Sequence, residues 1–410
     1  MKSYLPVLAT PGAWRFLLPA LVARLPFAMT QLGVLLLVEW STGAYGPAGV
    51  AAAAAAVSQA LAGPRFGRLA DRHGQARVLV PQVGAHALAL GGLVALAAAH
   101  AAVPLLVAAA ALTGASAPQV GAMVRARWAH RLSGPALNTA FAVESVTDEL
   151  TFTLAPVVLV ALSTSYSPVV ALLVALVLVV TGTLTFAAVR TAAPPGSARS
   201  AASPGPERAA GVLRLRGVAL LATAFLAMGS VFGSLQVGIT SLTEALGTAA
   251  SAGPVYGAFS GASLAGGLLY GAVRWRVPAT VRLGCGLVLL AAATSALVLA
   301  GSLPLLYGAA ALAGLVIAPV VITGYTIIDG LVPAAARTEA FTWLNGAIGL
   351  GIAVGSSAAG QLVDRFGPSL AFVVPPLITG LAAALVLARR RALLPRPAVT
   401  SERVPALPRG

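Results

Sequence analysis

The chain has 410 residues, of which 58% are hydrophobic and 9% charged, with a formal net charge of +15. A soluble domain carries roughly 25% charged residues because its surface faces water, so this composition excludes a soluble enzyme and requires a surface that faces lipid. The positive charge does not mark a nucleic-acid-binding protein: the basic residues, nearly all arginine, occupy short gaps between long apolar runs, not a patch that tracks phosphates.

A hydrocarbon core of about 30 Å takes roughly 20 apolar residues of helix to cross. Six spans are expected near Phe16–Val38, Pro47–Phe66, Val78–Ala99, Val103–Val124, Asn138–Leu162 and Pro168–Val189. Six more follow near Val218–Ser241, Ala252–Val273, Pro278–Ala300, Leu303–Ile327, Phe341–Leu362 and Leu370–Ala388. The first run is too long for the apolar region of a signal peptide and is expected to be retained as a span. Between the two sets, the stretch 190–217 is rich in Pro, Ser, Ala and Arg, and its prolines cannot propagate a helix. The expected organisation is an all-α membrane protein of twelve helices: a six-helix bundle over 1–189, a linker over 190–217, a second bundle over 218–388 and a basic tail over 389–410. Two such halves around one linker are a common transporter plan, with the substrate site where they meet.

Arginine placement gives the orientation. With both termini cytoplasmic, the inner segments hold Arg65, Arg68, Arg72, Arg77, Arg125, Arg127, Arg131, Arg274, Arg276, Arg337 and the linker and tail arginines, whereas the outer loops hold only Arg365. That bias fits the positive-inside rule in one orientation. Cys285 is the only cysteine, which rules out an intrachain disulfide; inside an apolar run it reads as a small core residue.

The most specific local pattern follows the second span: Gly67-Arg68-Leu69-Ala70-Asp71-Arg72-His73-Gly74-Gln75-Ala76-Arg77. Glycines permit a tight turn between antiparallel helices, and an acid near a helix N-terminus meets a favourable dipole. The pattern resembles the loop signature of the major facilitator superfamily, at the position that family gives it. The resemblance implies a twelve-helix carrier in which Gly67, Asp71, Arg72, Gly74 and Arg77 form a gating loop. Departures exist: Gln75-Ala76 replaces a basic pair, and the matching loop of the second half, Gly271–Arg276, has no acid. The segment Gly360–Gly367 echoes the signature on the opposite side. Ala155-Pro156 stands where drug–proton antiporters of the family carry Gly-Pro. The sequence as a whole resembles actinobacterial members, a likeness that names no substrate.

Charges inside the spans carry the chemistry. Arg24 lies about 12 Å into span one, and Glu144, Asp148 and Glu149 lie roughly 9 to 17 Å into span five, at 1.5 Å per residue. Each would cost about 2.5–3.5 kcal/mol unpaired at mid-bilayer, and arginine cannot shed its proton, so Arg24 requires a carboxylate. Three acids against one arginine leave a surplus, and a desolvated surplus acid binds a proton; Asp148 is the first choice for it and Glu149 the second. A purely structural network between spans one and five is the competing reading. Gln31, Gln119, Gln236, Tyr256, Tyr325 and Asn345 are further candidates to line a central pathway, while His86, Asp329 and Glu339 read as structural.

No metal-ligand cluster, nucleophile motif or phosphate-binding Gly-Lys loop occurs, so no cofactor, no metal and no ATP drive are expected, and the chain is not read as an enzyme. The expectation is a monomeric plasma-membrane carrier embedded in lipid and working by alternating access. Its partners are a small-molecule substrate and protons, and no nucleic acid. Efflux of a small, partly apolar metabolite or drug comes first, and uptake or facilitated passage of a sugar or other polar nutrient second. A non-transporting receptor or scaffold is the alternative from a different class.

Overall fold

Helix dominates because long runs of Ala, Leu and Val can satisfy their backbone groups in lipid only within a helix. The computed structural model describes residues 4–189, 193–194 and 212–394; most of the expected linker 190–217 and of the tail 389–410 lies outside the described residues. In chain order the helices are α1 (Tyr4–Leu8), α2 (Ala13–Thr42), α3 (Tyr45–His73), α4 (Gln75–Ala98), α5 (Val103–Ser116), α6 (Val120–Arg131), α7 (Gly134–Ser165) and α8 (Pro168–Ala188). The second half holds α9 (Arg216–Ala245), α10 (Ala252–Ala272), α11 (Ala279–Val298), α12 (Leu303–Leu331), α13 (Arg337–Phe366) and α14 (Val374–Ala388). Counting α5 with α6 and omitting α1, these are the twelve expected spans. Ten are long and apolar enough to cross a membrane by composition; the other two, α3 and α10, owe their lower hydropathy to alanine, glycine and polar residues.

Several helices exceed the lipid requirement of about 20 residues: α2 has 30, α7 has 32 and α13 has 30. The fourth span departs most from its expected Val103–Val124. It breaks over 117–119, where Pro118 supplies no N–H and disfavours helix in the residue before it, and resumes as α6 to Arg131. Arg125 and Arg127, expected at the inner membrane edge, are thereby carried into the bundle with exposures of 1% and 0%. Cys285 also departs from expectation: it is exposed on α11 rather than in the core, as an apolar side chain facing lipid can be.

In the first half, α2 packs on α3, α7 and α8, and α5 on α3 and α4; in the second, α9 packs on α13 and α14, and α12 on α10 and α11. The halves meet through α3 against α13, α7 against α10 and α12, and α6 against α13. The α9–α13 contact is a seam of small residues, as membrane interfaces favour. A methyl group on Gly351 would lie 2.9 Å from Gly229 Cα and closer still to the Leu226 carbonyl. Overpacking of this kind costs about 1–3 kcal/mol, so Gly351→Leu should lower the thermal midpoint in detergent. Gly360→Leu on the same helix, where an added Cβ meets nothing within 4 Å, should leave that midpoint near wild type in the same fluorescence melt.

Candidate functional site

The centre of the molecule is a cleft between the halves. Arg24 and Gln31 reach it from α2, Gln119 and Arg125 from the broken fourth span, Asp148 from α7, Tyr325 from α12 and Asn345 from α13. Phe27, Phe152, Ile348 and Ile352 supply apolar wall.

Beside the cleft two arginines and two acids form one network. Arg24 pairs with Glu144 and reaches Asp148 at 3.6 Å, and it donates to the Gly121 carbonyl at 3.1 Å. Trp128 Nε1 donates to the other Glu144 oxygen at 3.0 Å, so this fully buried carboxylate is satisfied on both sides. Arg125 pairs with Asp148, and its guanidinium carbon lies 4.2 Å from the Tyr325 ring centroid. Tyr325 in turn donates to Asn345 Oδ1 at 2.5 Å. The Asp148 side chain is 33% exposed against 7% for Arg24 and 1% for Arg125, so the charge that the network offers the cleft is that of a carboxylate. The Nε–H groups of both arginines are buried without a hydrogen-bond partner among the described residues.

Arg125 was invisible as a site residue in the sequence because it ends an apolar run in Arg125-Ala126-Arg127, which reads as a loop edge. Its presence changes the stoichiometry: Glu144 and Asp148 both have arginines, and the acid without one is Glu149. Glu149 turns to the other half, where Ser263 donates to it at 2.5 Å. Tyr256 stands on α10 with its ring 5.7 Å from that of Phe259. Gln236 is exposed on α9; neither it nor Tyr256 is among the residues lining the cleft. His86 is a buried, packed ring with Nδ1 3.1 Å from the Thr113 carbonyl oxygen.

Below the cleft, the buried rings of Phe141, Phe225, Tyr325 and Phe341 pack with centroid separations of 5.0–6.1 Å and close its floor. Under them lies the sequence-predicted gate. Asp71 sits in the last turn of α3, not at the N-terminus of its own loop helix. It instead accepts from the backbone N–H groups of Thr338 at 3.1 Å and Glu339 at 2.9 Å. One half therefore caps the N-terminus of α13 in the other, where a negative charge also meets a favourable dipole. Arg68 grips Glu339 with two bonds of 2.7 and 3.0 Å, and Val212 N donates to the same carboxylate at 3.2 Å. Arg337 pairs with Asp329 at 2.7 Å and donates to the Ala129 carbonyl at 2.7 Å.

The glycines of the motif divide. Gly67 is a packing residue: a side chain there would meet Glu339 Cα at 2.9 Å and, closer, Thr342 Oγ1 at 2.6 Å. Gly74 is the turn residue, with φ 92°, a region that residues with a Cβ avoid. Gln75 donates to the Met123 carbonyl and accepts from Arg127 Nε, which ties the loop to α6. Arg72 and Arg77 are exposed.

The side-chain hydrogen bonds between the halves, among the described residues, lie at this end or at mid-depth. Besides those of Asp71, Arg68 and Arg337 they are Tyr4 to Leu268, Thr139 to Gly271, Thr326 to Asn138 and Ser263 to Glu149. Two helical bundles fastened at one end around a central polar cleft define a membrane carrier. The model of the Major Facilitator Superfamily matches residues 11–293 and 237–409, and the chain belongs to that family. It is a transporter and not an enzyme.

Solved structures agree in fold. A bacterial homologue of the iron transporter ferroportin in an outward-facing state is 14% identical with a TM-score of 0.73, covering 92% of this chain and 98% of that one. The human organic anion transporter MFSD10 is 18% identical with a TM-score of 0.68, covering 92% and 100%. A single-site variant of the E. coli fucose:proton symporter FucP is 14% identical with a TM-score of 0.67, covering 91% and 99%. No curated protein sequence matches the chain.

Breaking a buried ion pair by removing one partner costs about 3–5 kcal/mol because an uncompensated charge remains. Glu144→Ala should therefore be strongly destabilising, and Glu144→Ala combined with Arg24→Met should recover part of the loss. Thermal midpoints of the two variants, measured in one detergent, check this; equal losses would mean that the pair does not act as a unit.

Proposed function

We propose that this carrier works by alternating access, moving a small organic solute with a hydrogen-bond-donating or cationic head and a partly apolar body, and that it exports it. The observation that carries this is the cleft: a partly exposed Asp148 carboxylate beside the amides of Gln31, Gln119 and Asn345, faced by Phe27, Phe152, Ile348 and Ile352. The carboxylate and amides suit the head, and the aromatic and branched walls suit the body. In this reading the bundles 1–189 and 218–388 move as bodies about the linker 190–217. The protein spans the cell membrane as a monomer with both termini cytoplasmic, an orientation supported by the arginine asymmetry. The gate at Asp71 and Glu339 then closes the cytoplasmic end, and the cleft belongs to an outward-facing conformation, the state in which the ferroportin homologue was solved.

Proton-driven uptake of a polar solute such as a sugar is the second reading. It is favoured by the three amides in the cleft and by a fold shared with the fucose:proton symporter. Proteoliposomes loaded with a panel of organic cations, organic anions and sugars, with and without a pH gradient, separate the two. Export predicts gradient-driven movement of an amphipathic cation or donor, reduced at least tenfold by Asp148→Asn. Accumulation of a sugar in the direction of the proton gradient would favour the second reading, and no movement above empty liposomes for any compound would contradict both.

A further inference from the structure

A side pocket opens off the central cleft, and all of its lining residues belong to the first half. It lies between α2, α3 and the end of α5, and shares Ala23, Phe27, Gln31 and Pro118 with the cleft. His86 of α4 and Val179 of α8 line it on the side away from the cleft. Two features of the chain produce it. The backbones of α3 and α5 touch at Gly114, where a methyl group would overlap the Ala55 carbonyl. Directly after that contact α5 ends, and the non-helical Ala117 and Pro118 form part of the pocket wall. The space holds about two or three water-sized groups, too little for a second solute and enough for a short arm of one.

The polar groups of this pocket are under-used within the protein. His86 is 2% exposed. Its Nδ1 lies 3.1 Å from the Thr113 carbonyl oxygen, which can only accept, so Nδ1 carries a hydrogen. Ser116 Oγ, 3.4 Å from the same nitrogen, donates to the Leu112 carbonyl. Among the described residues no acid lines the pocket, so no counter-ion stands there for an imidazolium. Nε2 of the neutral ring is left as a hydrogen-bond acceptor without a protein partner among the described residues. The amides of Gln31 and Gln59 likewise have no side-chain partner among the described residues, and each offers donors and an acceptor. Thr30 and Thr113 direct their hydroxyl hydrogens to the Pro26 and Ala109 carbonyls.

A polar group removed from water without a partner is costly, so this set calls for a guest that both donates and accepts. A hydroxyl does both: it donates to His86 Nε2 and accepts from a Gln59 or Gln31 amide. A carboxylate has no hydrogen for Nε2 and meets no cation here, and an ammonium group meets no acid. We propose that the pocket is a specificity subsite that takes a short hydroxyl-bearing arm of the solute whose head sits at Asp148, with His86 as the acceptor that selects it. Gln31, which lines both spaces, marks the passage between them. The solute is thereby narrowed to amino alcohols and related hydroxylated organic cations.

This inference rests on the proposed reading of the cleft as the solute's place. The test is isothermal titration in detergent with n-alkyltrimethylammonium ions of increasing chain length and their ω-hydroxy counterparts. At one chain length the hydroxylated ion should bind about tenfold tighter than its alkyl partner, because the alkyl chain leaves a buried acceptor unsatisfied. His86→Phe should abolish that preference, whereas Asp148→Asn should weaken both ions and preserve it. Gln59→Leu, which removes an unpaired amide and should fold normally, should reduce the preference and covers the case in which His86→Phe cannot be purified. Equal binding of the two ions at every length overturns the proposal. So does a preference that His86→Phe leaves intact, or that Gln59→Leu leaves intact where His86→Phe cannot be purified. If no ammonium ion of either series binds, the cation reading of the cleft fails on its own. The pocket is then judged by the ring-15N signal of His86 Nε2 in nanodiscs: 1,2-ethanediol should shift it, and an unmoved signal overturns the proposal.

Discussion

Two guanidinium groups that cannot give up their charge lie in the apolar middle of the bundle, and much of the architecture follows from neutralising them. Arg24 on α2 and Arg125 on α6 must each bring a carboxylate inward, and both acids come from consecutive turns of α7, Glu144 and Asp148. The three helices are thereby fixed to one another by charge, where a bundle of alanine and leucine would have only shape to register them. Because Asp148 is shared between the two arginines, anything that binds it from the cleft alters the balance on both. The cleft is thus electrostatically connected to the core of the first half without a conformational relay.

The contact between the halves follows a different logic. Near the Asp71 end it consists of hydrogen bonds: a helix N-terminus capped by Asp71, two bonds from Arg68 to Glu339, and one from Arg337 to a carbonyl. Hydrogen bonds to charged groups contribute about 1.5–3 kcal/mol each. Shifting a two-state equilibrium from one side to the other needs about 5.5 kcal/mol of differential binding, which is comparable to losing two or three such bonds. The aromatic layer of Phe141, Phe225, Tyr325 and Phe341 adds a seal with no directional bonds to break.

The sequence announced the fold in its composition, in the spacing of its apolar runs and in the loop from Gly67 to Arg77. It also announced that Arg24 would need an acid from span five. Arg125 stayed hidden because a one-dimensional hydropathy reading ends a span at the first cluster of charges, whereas the break at Pro118 lets the chain resume helix and bury that cluster. The same limit hid which helix terminus Asp71 meets: it lies some 270 residues away in the chain and is brought beside it only by the contact of the two halves. Gly67 likewise reads as a turn residue until α13 is seen crossing it. The division of labour among the acids depended on counting arginines in three dimensions, and that count separated Glu149 from its neighbours.

The central claim is that the two halves exchange which end of the cleft they close. It is tested most directly by two distances in one protein, with Cys285→Ser as background. One spin-label pair would be attached at His73 and Ala334, at the closed end, and another at Tyr166 and Leu246, at the opposite end; all four positions are exposed. Introducing Asp71→Asn with Arg68→Ala should lengthen the first distance and shorten the second. Lengthening of the first with no change in the second would show a bundle that merely loosens at its gate, and would contradict alternating access for this chain.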